Sequence, residues 1–419
     1  MGMDRFVRRA ALAGIVGVGT LCAAWSQAAE PGAASGWRTW GQPATAFIPP
    51  AVDTRSGRVD YDEFGERVAG IMRDPSMVGL AVAVVEDGRI SFARGYGTTH
   101  AAGGQPVDAR TVFRWASLSK GVAATMVGEL AAEGRVSLAA PVSNYATTLR
   151  LPGGNETRAT VEDLLSHRLG VTRNAFDNKL EQGIDPRQLR PQLATLAQLC
   201  APGSCHAYQN VAFDASAEIV QNLTGKSYQN AVAQRLFQPL GMIDASVSRA
   251  GLVASRSWAK PHVGRRTVTV NDNYYRVPAA GGVNSSILDL ARWMQAQMGE
   301  TPEVVPTRVL DVIHAPRIFT NRRNGVFNRA MGSSQYALGW RDYNYVGHRL
   351  VGHQGAVMGY RATVLFDPAT KSGIAMLWNS QSSRPVALQL ELLDRMYRMP
   401  RRDWLGLDKV APPAADTVD

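Results

Sequence analysis

Three cysteines in 419 residues leave little from which to build a metal centre or a disulfide framework. Cys22 lies in an apolar run near the N-terminus, while Cys200 and Cys205 stand close together in Leu199-Cys-Ala-Pro-Gly-Ser-Cys-His206. In an oxidising compartment so close a pair predicts a disulfide across a tight loop. His206 is the one further ligand type beside it, so no metal is expected there. His-Glu-x-x-His is missing, which removes the metalloprotease helix. Gly-x-Ser-x-Gly is missing too, which removes the strand–turn–helix serine elbow. Gly225-Lys-Ser has Val220 where a phosphate loop needs a glycine, and no cofactor is implied. Lysine is scarce, 6 against 39 arginines, and the net charge is 45 − 35 = +10. These charges are spread without a run of one sign and read as a solvated arginine-rich surface, with no nucleic-acid partner.

Apolar runs long enough to span a bilayer are lacking as well, so no stable membrane span is expected. The run from Ala10 to Ala24 is short; Arg5, Arg8 and Arg9 precede it and Ser26-Gln-Ala28 follows it. That order reads as a cleavable signal peptide over residues 1–28, which places the mature protein in the periplasm or outside the cell. Residues 29–56, rich in Ala, Gly and Pro, read as an extended lead-in. Residues 57–400 then read as a single domain, and 401–419 as a tail.

Within that domain the pattern is strand-like at both ends and helical between. Tyr61 to Met72 is an amphipathic helix; Gly79 to Glu86 and Arg89 to Tyr96 form a hairpin about Asp87-Gly88. Thr160 with Asp163 makes a capping box, and helices follow over Asp214–Leu223, Ser227–Phe237 and from Ser285. Strands return at Tyr336–Tyr345, Tyr360–Phe366 and Gly373–Asn379, before a closing helix over Val386–Tyr397. The expected fold is of the α+β type. One antiparallel sheet is built from both chain ends (about 57–115 and 320–400), flanked by helices, with a mainly helical subdomain (about 116–319) inserted.

Chemistry concentrates at Ser117-Leu-Ser-Lys120, which opens an apolar-periodic helix with Val122, Met126, Val127 and Leu130 on one stripe. Residues three apart share a helix face, so the Lys120 ammonium can reach the Ser117 hydroxyl. A serine becomes a good nucleophile when a neighbouring base takes its proton. Ser-x-x-Lys alone is a weak signal. Ser257-Trp-Ala-Lys260 also fits it, but Pro261 follows and no apolar helix does, so that copy reads as accidental. Tyr208-Gln-Asn210 offers a second base and a positioning amide, or else a turn tyrosine with a capping asparagine. Gly352-His-Gln-Gly-Ala-Val-Met-Gly-Tyr360 reads as a strand at the edge of the C-terminal sheet that lets a substrate approach closely, or as a glycine-rich hairpin with an exposed histidine.

Taken in order, Ser117-x-x-Lys120, Tyr208-x-Asn210 and His353-x-Gly355 resemble the three motifs of the serine β-lactamase and penicillin-binding-protein superfamily. The class C β-lactamase, D,D-peptidase and esterase branch is the nearest match. Leu164-Leu-Ser-His167, Pro239-Leu-Gly-Met242 and Gly281-Gly-Val283 extend the likeness, which covers roughly residues 60 to 398. The resemblance implies the β-lactamase/transpeptidase fold and a Ser117 acyl-enzyme, with Lys120 as proton partner and Tyr208 as general base or acid. It also implies positioning by Asn210, an oxyanion hole from the N–H groups of Ser117 and Ala356, and a substrate wall from His353 to Gly355. His353 stands where class C β-lactamases carry lysine; Arg361 or a protonated His353 is the candidate replacement charge. The expected substrate is a small molecule. β-Lactam hydrolysis leads, with a D,D-carboxypeptidase, D-aminopeptidase or carboxylesterase as alternative, and a slow-acylating penicillin-binding sensor as the reading from another class.

Overall fold

The computed structural model describes residues 58–321 and 324–408. The predicted signal peptide, the lead-in and residues 409–419 of the tail lie outside the described residues.

An eight-stranded antiparallel sheet carries the molecule. Its strands are β1 (Gly79–Glu86), β2 (Arg89–Gly97), β3 (Ile318–Phe319), β4 (Ser333–Tyr336), β5 (Arg341–Tyr345), β6 (His348–Val357), β7 (Tyr360–Asp367) and β8 (Ser372–Trp378). They lie in the order β2-β1-β8-β7-β6-β5-β4-β3, so a strand pair from the N-terminal end joins strands from the C-terminal end through β1 and β8. Every residue of β1 is buried. Alternation explains why, because successive side chains enter opposite layers. Leu80, Val82 and Val84 pack with the helices α1 (Tyr61–Ile71) and α5 (Leu388–Met396). Ala81, Ala83 and Val85 face the larger core with α2 (Ser119–Ala132) and α4 (Ile287–Gln297). The expected mixed fold with one antiparallel sheet and flanking helices is therefore what forms.

The predicted caps hold. Thr160 and Asp163 exchange the reciprocal bonds of a capping box, and the Ser286 side chain accepts from Asp289 N. Four expectations need correction. The Tyr336–Tyr345 run is two strands, because Ala337 to Trp340 make a reversal in which Gly339 adopts φ +69°. A Cβ there would sit 2.4 Å from the Lys120 carbonyl oxygen, so the reversal is pressed against α2. The β6 segment is not at the sheet edge, since β5 and β7 flank it. Helix Ser227–Phe237 starts as α over Tyr228–Val232 and loosens to a π turn over Ala233–Phe237. Finally, α2 does not carry a single apolar stripe; it is buried on every side, which suits a central helix.

Burial has a consequence for pH. His314, in the helix Thr307–His314, is fully enclosed, shares a hydrogen bond with Gln297 Oε1 at 3.1 Å, and has its pKa pushed down to about 3 by that burial. The folded ring stays neutral while the unfolded ring takes a proton below its ordinary value of about 6.5. Stability from this group is thus complete above pH 6.5 and lost as the pH falls, by about 1 kcal/mol per unit. His314→Gln keeps a donor for Gln297 and removes the titration. Urea unfolding at pH 7.5 and 5.5 is expected to show wild type losing about 1 kcal/mol more than the variant over that step.

Candidate active site

Ser117 sits in a tight 3₁₀ turn, Ala116–Leu118, directly ahead of α2. Ala116 adopts φ +49°, an unfavourable conformation for a residue with a Cβ, held here by complete burial. The turn lifts Ser117 out of the core: it is the partly exposed residue between buried Ala116 and Leu118. One turn on, Lys120 is fully buried. Its Nζ donates to Ser117 Oγ at 3.3 Å, Asn210 Oδ1 at 2.7 Å and the Ala280 carbonyl at 2.9 Å. An ammonium has three N–H bonds and all three have acceptors here. Tyr208 donates its hydroxyl to Ser117 Oγ at 2.8 Å, and its ring centroid lies 4.7 Å from Lys120 Nζ.

Asn210 is oriented from behind. Its Nδ2 donates to Asp177 Oδ2 at 2.7 Å, which turns Oδ1 towards Lys120. Asp177 opens the short helix α3 (Asp177–Glu181), and burial raises its carboxyl above the usual range. No sequence motif pointed to Asp177 or to the Ala280 carbonyl. Asn174 and Phe176 just before α3 take left-handed backbone, at φ +54° and +61°, and only that irregular path brings Asp177 to Asn210.

Strand β6 forms the facing wall. Its pairing with β5 ends at Gly352, so from Gln354 onward one edge has no strand partner among the described residues. The hairpin closes with Val357 opposite Tyr360 and Ala356 opposite Arg361. Antiparallel pairs alternate between bonded and non-bonded, which turns the main-chain groups of Gln354 and Ala356 to that unpartnered edge. Gly355 permits the close approach to Ser117. A Cβ there would lie 2.1 Å from the Trp115 carbonyl oxygen and 3.1 Å from Ser117 N. Gly355→Ala must push the strand off the Ser117 turn. The expected result is a loss of at least about 100-fold in kcat, measured beside a thermal melt, because a shift of about 1 Å is enough to spoil alignment.

His353 is not the exposed histidine of a free hairpin; it is 3% exposed. Tyr336 OH lies 3.0 Å from its Nε2, and the Gln354 carbonyl 2.8 Å from its Nδ1. Arg361 lines the cleft from β7 and makes no ion pair among the described residues; burial lowers its pKa from the ordinary value. The cleft holds about 440 Å³ and brings together Ser117, Tyr208, Asn210, His353, Gly355, Ala356 and Arg361. The decoy lies elsewhere: Ser257 Oγ bonds Thr111 Oγ1 and Lys260 rests on the Trp258 ring. Cys200 and Cys205 are joined in a disulfide three residues before Tyr208. Among the described residues there is no cluster of side chains suited to a metal ion, and no helix is long and apolar enough to cross a membrane.

A serine, lysine and tyrosine converging beside an unpartnered strand edge define a serine hydrolase of acyl-transfer type. The chain belongs to the Beta-lactamase family, whose model matches residues 64–395. It is 25% identical over 393 residues to the unguisins hydrolase ungD of Aspergillus violaceofuscus, covering 84% of this chain and 68% of that protein. It is 31% identical over 222 residues to the D-alanyl-D-alanine-carboxypeptidase/endopeptidase AmpH of Escherichia coli K12, covering 52% of this chain and 56% of that one. The fold matches the octameric penicillin-binding protein homologue from Pyrococcus abyssi with a TM-score of 0.73 at 23% identity, over 81% of this chain and 78% of that one.

Proposed function

We propose that this chain hydrolyses short peptides bearing D-amino acids, through an ester formed on Ser117. The observation that carries this reading is the unpartnered edge of β6 beside Ser117. An extended peptide can add to such an edge through its main chain, with its scissile carbonyl directed at the serine. Ser117 Oγ attacks that carbonyl carbon. The Tyr208 oxygen, hydrogen-bonded to Ser117 Oγ and held beside Lys120, relays the serine proton to the departing amine nitrogen as the C–N bond breaks. The N–H groups of Ser117 and Ala356 receive the oxyanion. Water then attacks the ester, and its proton passes through Tyr208 to Ser117 Oγ as the ester C–O bond breaks, which restores the free serine. Lys120 serves as a fixed cation, because its three N–H bonds are already committed.

The third motif favours peptides over β-lactams. Both ring nitrogens of His353 are engaged by Tyr336 and the Gln354 carbonyl, so His353 offers no N–H to a substrate carboxylate. Arg361, on the strand beside β6, is the cation proposed for a terminal carboxylate, and AmpH of Escherichia coli K12, 31% identical over 222 residues, is a D-alanyl-D-alanine-carboxypeptidase/endopeptidase. Export through the 1–28 signal peptide belongs to the same proposal; the Cys200–Cys205 disulfide supports it, since such bonds persist in oxidising compartments. The test compares kcat/KM for release of D-alanine from a tripeptide ending in D-Ala-D-Ala with that for a chromogenic cephalosporin and p-nitrophenyl acetate. A preference of at least about tenfold for the tripeptide is expected. A cephalosporin preference of that size would return the enzyme to the β-lactamases, and an ester preference to the esterases.

A further inference from the structure

Behind the two walls of the cleft runs a buried file of rings that no motif of the sequence marks as a unit. Gln209, between the catalytic tyrosine and Asn210, donates its backbone N–H to His167 Nδ1 at 3.2 Å. His167 Nε2 lies 3.2 Å from Tyr336 OH, and Tyr336 OH lies 3.0 Å from His353 Nε2. His353 Nδ1 meets the Gln354 carbonyl at 2.8 Å. His167 and Tyr336 are fully buried, and the His167 ring packs on Tyr208 with centroids 4.3 Å apart.

The two ends of this file fix its direction. A backbone N–H can only donate, so His167 Nδ1 must be an acceptor and its Nε2 must carry the proton. Tyr336 oxygen then accepts from His167, and its own proton goes to His353 Nε2. A carbonyl can only accept, so His353 Nδ1 carries the proton at the far end. The reverse polarity fails twice, setting N–H against N–H at Gln209 and lone pair against lone pair at Gln354. Burial drives the His167 pKa well below its usual value, with Lys120, His206, His353 and Arg341 adding repulsion. The Arg341 guanidinium also stands 5.1 Å from the Tyr336 ring centroid. Lys120, His206, His353 and Arg341 therefore all oppose a second proton on His167.

We propose that Tyr336 and His167 are positioning residues that tie the Tyr208–Asn210 turn to strand β6 by a one-directional hydrogen-bond relay, holding His353 as the Nδ1–H tautomer. The span of the cleft between Tyr208 and the oxyanion edge is set by this relay, which rests on the reading that both walls serve Ser117. The cleft thus keeps its width through buried neutral rings, where an exposed cation would yield to solvent.

The test uses the full chain labelled with ¹⁵N-histidine. Long-range ¹H–¹⁵N spectra from pH 8 to 6 are expected to show His353 as the Nδ1–H tautomer and His167 as the Nε2–H tautomer, with His167 not titrating. This readout needs no substrate, so it stands or falls apart from the proposed activity. In Tyr336→Phe, kcat for the preferred substrate is expected to fall about 10- to 100-fold with KM within about threefold, as for misalignment without lost binding. His167→Gln, which can accept from Gln209 and donate to Tyr336, is expected to keep at least ten times the kcat of His167→Leu. An Nε2–H tautomer at His353, ordinary titration of His167 near pH 6.5, or unchanged kcat in Tyr336→Phe would overturn the proposal. If the variants do not fold, the wild-type tautomers decide it.

Discussion

Ser117→Ala is expected to lower kcat by a factor of about 10⁴ to 10⁶ while leaving the melting temperature within about 2 °C of wild type. The loss is large because, among the described residues, Ser117 is the hydroxyl that bonds both Lys120 and Tyr208. Ser119, two residues on, donates its hydroxyl to the Ala116 carbonyl and accepts from Val283 N, facing the core. What survives is the background from oxyanion donors and binding, which acts without covalent chemistry. The fold should hardly respond. Lys120 keeps Asn210 and the Ala280 carbonyl as partners, and the partly exposed position leaves no sealed void. A variant that is inactive yet equally stable separates chemistry from structure at this position.

Lys120→Met should cost activity and stability together. Methionine fills much of the lysine stem without charge, so the change removes the cation and little volume. Asn210 Oδ1 and the Ala280 carbonyl lose their donor inside the protein, at about 1–3 kcal/mol for each acceptor that water does not reach. The Tyr208 oxygen and the Ser117 turn lose the positive charge beside them, and kcat is expected to drop by about 10³-fold or more. Lys120→Arg should not rescue it, because a planar fork cannot meet three acceptors arranged about a single nitrogen. Steady-state kinetics beside urea unfolding would show both losses. Activity within tenfold of wild type would remove Lys120 from the mechanism.

The parts of the site legible in the sequence are those carried by local chemistry. Ser117 and Lys120 share a helical turn, Tyr208 and Asn210 share one loop, and His353 and Gly355 lie on one strand. Gly355 is informative because its lack of a side chain is a steric need beside Trp115. The supporting residues were illegible for the opposite reason. Asp177 reaches Asn210 across 33 residues, and Tyr336 reaches His167 across 169, through loops whose path no periodicity encodes. The break at Gly339 was hidden for a similar reason: Ala337 to Trp340 are apolar enough to pass as strand, and only contact with α2 forces the reversal. The edge position expected of β6 was half right in its consequence, since the strand lies inside the sheet but its last half outruns β5. His353 read as a candidate cation on sequence alone, where its buried partners could not be seen.

The most direct test of the central claim is the mass of the covalent intermediate. The protein, mixed with a slowly deacylating β-lactam or with substrate and quenched in acid within milliseconds to minutes, should gain the mass of one acyl group. Proteolysis and fragmentation should then place that group on Ser117, and Ser117→Ala should acquire none. An adduct on Ser257 or on any other residue, or turnover by wild type with no adduct on Ser117 at any time point, would contradict the account.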